Sequence, residues 1–387
     1  MIINADLHVH SKYSMATSKN MNPENMAIES AKKGLNLVAT GDAPHSKWLE
    51  ELENSLTEID DTGIYKTKDN IPDNKTHFIT TVEVEDNERI HHLLIIPSLE
   101  TAWQMRDEFK AKNLDADGRP KLRMNGQEIM DVARDYDCLL GPAHIFTPWT
   151  GIYKSYDSIV DCYNRKPDFV ELGLSSDSML ADSIDELRSY TFLSNSDSHS
   201  PWPHRIGREF NKMEVRQLSF NEIRRSLKDN KVLENYGFNP RMGKYHETGC
   251  IKCYRIYDIH EAVKKDMKCD CGGRIKRGVK ARIEELANNN QPNKDRPHYQ
   301  YMLPLAELLS TAHDKGITTK YVQTRYDNLI KNFDNEINVL INIAIKEIET
   351  IDKKLAKIID SYRQNTLEVI PGRGGLYGKI RYEESIK

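Results

Sequence analysis

IINADLHVH (residues 2–10), followed by NPENMAIESAKKG (22–34) and LNLVATGD (35–42), decides the fold. An apolar run gives way to an amphipathic segment and then to a second apolar run. Asn22 stands where a helix cap belongs, Pro23 at the first helical position and Gly34 at the stop. The three stretches predict a β-α-β unit, which joins two parallel strands through a crossover helix. The texture recurs. HFITTVEVE (77–85), RIHHLLIIP (89–97), CLLGPAH (138–144), DFVELGL (168–174) and TFLSNSDSH (191–199) read as strands, and LETAWQMRDEFKAK (99–112) and GQEIMDVARDYD (126–137) as helices. Such alternation over more than half the chain predicts an α/β fold with a mainly parallel sheet, open or closed into a barrel.

The composition sets bounds on the rest. At 387 residues the chain is long enough for two or three domains, and 38% hydrophobic with 29% charged residues is the balance of a water-soluble chain. No apolar run approaches the roughly 18 to 20 residues of a membrane span, and the N-terminus lacks a basic stretch ahead of an apolar one, so the expected location is cytoplasmic, with no membrane partner. The net charge of −4 hides a split: residues 1–240 hold 28 Lys+Arg against 39 Asp+Glu, and 241–387 hold 27 against 20. An acidic front suits cations, and a basic back suits a polyanion.

The front of the chain also carries metal-type side chains at one strand end after another. In an extended segment, residues two apart share a face, so His8 and His10 project together. Asp42 and His45 follow the second strand, Glu83 ends HFITTVE, His92 begins HLLII, His144 ends LLGPAH, and Asp197 and His199 end FLSNSDSH. His91 and His92 alternate faces, so only one of the two can look into the site. Strand ends converge at the functional face of a barrel. Nine such residues exceed the needs of one ion, so the expectation is two or three divalent cations (zinc, manganese, magnesium or iron) that activate water for hydrolysis. Glu171 is a candidate second partner of these ligands.

Cys250, Cys253, Cys269 and Cys271 form CIKC and CDC, and Gly272 and Gly273 follow. Together they predict one structural zinc. RIKRGVKAR comes next, with Arg274, Lys276, Arg277 and Lys280 as candidate phosphate contacts. Further on, Ile337, Ile341, Ala344, Ile348, Ile351, Leu355, Ile358 and Tyr362 form an apolar seam of period 3.5 on one long expected helix, which packs on its own region more readily than on a partner helix. EVIPGRGGLYGKI (368–380) reads as a hairpin or a phosphate-approaching turn. The expected units are 1–240, 241–278 and a helical C-terminal 279–387, entered through the loop-like NNNQPNKDRPHYQ.

DLHVHS, TGDAPH, the Glu83 and His92 strands, PAH and SDSH, in this order, resemble the polymerase and histidinol phosphatase (PHP) family. The resemblance implies a distorted β/α barrel with a multinuclear metal site for phosphoester hydrolysis. It matches the ligand motifs to His8, His10, Asp42 or His45, Glu83, His92, His144, Asp197 and His199. Where many members have a further histidine or aspartate, this chain has Met15, Ala16 and Thr17. ATSKNM, SDSHSPWPHRIGREFN, the cysteines and the terminal glycine-rich segment resemble a nuclease branch of that family. This implies cleavage of DNA, double- or single-stranded, on the 5′ side of a deaminated base (uracil, hypoxanthine or xanthine) or an abasic site. On that reading Trp149 and Trp202 are candidates to stack an extruded base, Arg205 and Lys19 to hold phosphate, and Asp42 and His45 to take part in catalysis beside Arg205. A small-molecule phosphatase and a non-catalytic DNA-binding scaffold are the alternatives.

Overall fold

The computed structural model describes residues 1–381 apart from 70, 72, 73, 292 and 365. The first helix, Pro23–Lys33, starts where the Asn22 side chain accepts the N–H of Asn25 at 3.0 Å, and ends at Gly34, whose φ of +99° would strain any side chain. It joins the strands Ile2–Asp6 and Leu37–Ala39, which pair in parallel, and His77–Ile79 continues the parallel set.

At Thr80 the expected single strand breaks, and the pairing changes. Thr81–Glu85, His91–Ile95 and Leu139–Pro142 run antiparallel, so the sheet is mixed rather than mainly parallel. The cause is local. Asp86 N–H donates to the Ile90 carbonyl at 2.9 Å with Arg89 at φ +64°, a turn too short for the crossover that parallel strands need. The N–H of Asp168 on the Leu140 carbonyl (2.8 Å) and that of Ile145 on Glu171 (3.0 Å) then attach Val170–Glu171, which pairs in parallel with Phe192–Leu193. His10 N–H reaches the Ser198 carbonyl at 2.9 Å and returns the ring to its first strand. The result is a distorted β/α barrel. Its interior core draws on Ile3, Ala5, Leu37, Ile79, Leu93, Ile95, Leu139 and Leu193.

Outside the ring, Ile2–Asp6 also pairs antiparallel with Phe210–Glu214, and Val232–Gly237 follows in the same sense. The strand His298–Tyr301 adds to Val232–Gly237 in parallel. The stretch read as a loop before the C-terminal helices thus contains a strand. That strand gives the first unit's sheet an edge, and the C-terminal region ends in the hairpin Glu368–Ile370 with Lys379–Arg381.

The single long helix is also corrected. Lys320–Phe333, Ile345–Ile351 and Lys353–Arg363 are separate helices with a π-helical turn at Asn338–Asn342. Ile343 and Ala344 are extended, and Asp352 leaves the helix to cap Leu355 N–H at 3.0 Å. Leu340, Ile348, Leu355, Ile358 and Tyr362 pack into one core with the helix Leu305–His313, so the seam is satisfied within its own region. Among the described residues no helix is long and apolar enough to cross a membrane.

Candidate metal centre and nucleic-acid cleft

At one mouth of the ring the donors meet. His10 Nε2 lies 3.1 Å from Asp197 Oδ1 and 3.4 Å from Glu83 Oε2, and His8 Nε2 lies 3.7 Å from Glu83 Oε1. Glu83 Oε1 also accepts from His91 Nδ1 at 2.7 Å and His144 Nε2 at 2.8 Å. Two donor sets result, His8 with His10 and Asp197, and Glu83 with His91 and His144, each with ligand atoms mutually within 4.8 Å. Glu83 touches both.

The buried surroundings fit cations. His8 Nδ1 is 3.0 Å from Glu171, and His10 Nδ1 is 3.1 Å from Asp42, so each imidazole is oriented by a carboxylate on its far nitrogen. His8 Nε2 and His144 Nδ1 are buried with no hydrogen-bond partner. Burial alone would raise Glu83, but the imidazoles of His91 and His8 hold it well below the usual carboxylate range. Burial would lower His8, but Glu171 and Glu83 hold it well above its ordinary value. Asp42, His144 and Asp197 take φ of +50°, +30° and +47°, a left-handed backbone at all three strand ends.

His92 is corrected. The turn after Glu85 sets the register Glu83 with Leu93 and Glu85 with His91, which puts Glu83, Glu85 and His91 on one face and His92 on the other. His92 bonds Tyr163 OH at 2.6 Å and Asp86 Oδ2 at 3.2 Å in a separate buried group with Cys162. His45 is also displaced from the cluster: it precedes the helix Ser46–Ser55, its ring stacks on Tyr13 at 4.4 Å, and its Nδ1 has no hydrogen-bond partner. His199 stands beside His10, ring centroids 4.4 Å apart, and lines the cleft.

That cleft, of about 860 Å³, opens above the donors. Trp149 and Arg205 line it; Trp202, exposed, is not among its lining residues. Lys19 is exposed beside Ser18, whose N–H holds the His199 carbonyl at 2.9 Å. The sequence reading missed Arg119, Arg208, Lys244, Tyr245 and Tyr377, which also line the cleft. Arg119 donates to Glu83 Oε2 at 3.3 Å, and its Nε has no partner. It arrives because Gly118 passes so close to Asp42 that a Cβ would meet Oδ2 at 2.3 Å. No spacing announces this; the glycine before Arg119 is the one cue.

The four thiols also gather. Cys250 and Cys271 Sγ are 3.6 Å apart and Cys253 and Cys269 Sγ 3.5 Å, close to the roughly 3.8 Å edge of a tetrahedron with 2.3 Å zinc–sulfur bonds. The Tyr257 hydroxyl, donating at 3.0 Å, draws Cys269 down to about 6. The basic segment has more structural work than expected. Lys276 Nζ sits 3.6 Å over the Trp149 ring and donates to the Pro148 carbonyl, and Arg277 pairs with Glu285 at 2.6 Å. Arg274 and Lys280 are exposed. The terminal hairpin meets the knuckle at Gly374, which, at φ +55°, would put a Cβ 2.3 Å from the Cys250 carbonyl.

A family model described as the MJ0043 C-terminal domain matches residues 304–366. Protein MJ0043 of Methanocaldococcus jannaschii is 49% identical over 256 residues, 64% of this chain and 33% of the relative, so the match spans about a third of that protein's length. Protein YqxK of Bacillus subtilis is 30% identical over 98% of this chain and 99% of its own. The crystal structure of the lesion-specific endonuclease PfuEndoQ from Pyrococcus furiosus superposes with a TM-score of 0.93 at 45% identity, covering 100% of this chain and 96% of that one. The chain belongs to the endonuclease Q family. A second endonuclease Q structure, a complex with a 27-mer duplex substrate carrying an abasic lesion at the active site, gives a TM-score of 0.95 at 45% identity, over 100% and 98% of the two chains. Family membership therefore extends through the barrel, the cysteine knuckle and the C-terminal helices alike.

Proposed function

We propose that this chain is a metal-dependent DNA repair endonuclease that nicks a strand on the 5′ side of an abasic site or a deaminated base: uracil, hypoxanthine or xanthine. The observation that carries the reading is the pair of donor sets bridged by Glu83, which belongs to one and lies against His8 and His10 of the other, on the floor of a cleft walled by cations and aromatics. His8, His10 and Asp197, with Glu83, His91 and His144, would hold divalent cations, which when bound would supply water activation and Lewis-acid stabilisation for phosphoester hydrolysis. The chain's own residues do the rest. Asp42 and Glu171 orient His10 and His8, Arg205 and Arg119 meet the scissile phosphate, and the Trp149 and Tyr245 wall, rings 6.2 Å apart, receives the unstacked nucleotide. His45 has no part in this arrangement. The knuckle holds a structural zinc that fixes Lys276 against Trp149, and the division at 240 and 278 separates chemistry, clamp and support.

End-labelled duplexes carrying one uracil, one hypoxanthine, one abasic site or no lesion, incubated with manganese, magnesium or zinc, test it. The expected product is a nick immediately 5′ of the lesion, with undamaged DNA intact. Cleavage should fall by about 10³-fold between 50 and 200 mM salt through counterion release. Salt-insensitive hydrolysis of a small phosphate ester without nicking would put the phosphatase alternative in its place.

A further inference from the structure

Lys33, in the last turn of the Pro23–Lys33 helix, is fully buried. An ammonium reaches such a place only with partners, because a buried unpaired charge is costly. Its Nζ donates to Glu336 Oε1 at 2.7 Å and to the Pro203 carbonyl at 2.6 Å. Glu336 is equally buried, and the same oxygen accepts the N–H of Leu305 at 3.0 Å, at the head of the helix Leu305–His313. One ammonium thus joins the barrel's first helix, the C-terminal helical region and the segment 200–208.

That segment brings Arg205 and Arg208 to the cleft. On one side it hangs from the barrel: Gly207 N–H donates to Asp6 Oδ2 at 3.0 Å and Arg208 Nε to the Ser196 carbonyl at 2.9 Å. On the other side it rests on Lys33, whose Cγ a Cβ on Gly207 would meet at 2.8 Å. Charge-assisted bonds are about twice as strong as neutral ones and directional, so the ammonium fixes the level of the Pro203 carbonyl and with it the spacing of the arginines that follow.

We propose that Lys33 and Glu336 are a positioning pair that sets the Arg205 and Arg208 segment for the DNA backbone, so that the C-terminal helical region acts on the cleft through a salt bridge. The inference rests on the reading of the cleft as a DNA site.

Two full-chain variants test it, Glu336→Gln and the double variant Lys33→Met with Glu336→Leu. Metal content, thermal midpoint, KM and kcat on an abasic duplex are measured. Glu336→Gln is expected to raise KM about tenfold while kcat stays within about twofold and the metal content is unchanged. Replacing a buried ion pair with apolar side chains commonly restores stability, so the double variant is expected to recover the midpoint. Its KM is expected to stay raised, because without Lys33 the Pro203 carbonyl has lost its donor. A double variant that regains wild-type KM together with its midpoint makes the pair merely structural and overturns the proposal, as does an unchanged KM in Glu336→Gln. Failure of the wild type to nick the duplex overturns the DNA reading instead, and is seen before any variant is assayed.

Discussion

The cysteine knuckle takes its four donors from residues 250 to 271, whereas the cluster in the cleft takes its six from residues 8 to 197. The knuckle is a local turn: the N–H of Lys252 and of Cys253 point at Cys250 Sγ at 3.3 and 3.5 Å, and its thiols have little else to do. The cluster is assembled by the ring, and its donors bond one another, Glu83 to His91 and His144, His10 to Asp197. A local site is lost alone when a ligand is removed. An assembled one leaves buried charges without partners, so damage spreads.

The sharpest break of that contrast comes from Glu83→Gln, which removes a carboxylate of one donor set that also reaches His8 and His10 of the other. Nicking should fall by about 10³-fold or more and the cleft should lose its cations, while the knuckle keeps its zinc by elemental analysis. Next is Glu171→Gln, which leaves His8 in place but removes the carboxylate on its Nδ1. Metal affinity, followed by titration calorimetry, should weaken about 10- to 100-fold. Smaller again is Cys253→Ser. About one zinc per chain should disappear and duplex affinity drop about tenfold as Lys276 loosens from Trp149, with cleft metal unchanged. Loss of cleft metal in that variant would end the contrast between the two sites.

The smallest effect concerns a buried carboxylate with no imidazole beside it. Burial pushes Glu209 up to about 8, against the pull of the Phe238 N–H and Arg208. Its folded value lies above the roughly 4.3 of an unfolded chain. Between those values the folded protein holds a proton that the unfolded one releases, so stability declines as pH rises from about 4 to about 8. Glu209→Gln should flatten that part of a melting-temperature profile, and an unaltered slope would show that the decline has another source.

The legible part of the sequence was what local chemistry decides. Asn22, Pro23 and Gly34 bound the first helix as their side chains dictate, and CIKC with CDC brought four thiols together. Strand ends carrying His8, His10, Glu83, His144 and Asp197 did converge, because alternation within each strand is a short-range rule. What failed depended on partners elsewhere. The resemblance pointed to His92, but the register of the hairpin, set by the Asp86 turn, puts His91 on the face of Glu83. Arg119 was invisible since its approach depends on Gly118 packing against Asp42. The seam from Ile337 to Tyr362 keeps helical spacing across breaks at Ala344 and Asp352, since each piece buries the same kind of face in a common core.

The parallel pairing of His298–Tyr301 with Val232–Gly237 puts the whole knuckle inside the crossover between two neighbouring strands. A long crossover is closed at an entropic cost that internal fastening lowers. Chelation of the zinc proposed for the knuckle would therefore slacken the tether of an outermost strand, and once that strand peels away its neighbour presents open N–H and C=O groups. With divalent cations resupplied in the nicking assay, storage in chelating buffer should show itself as slow clumping of the protein before cleavage declines.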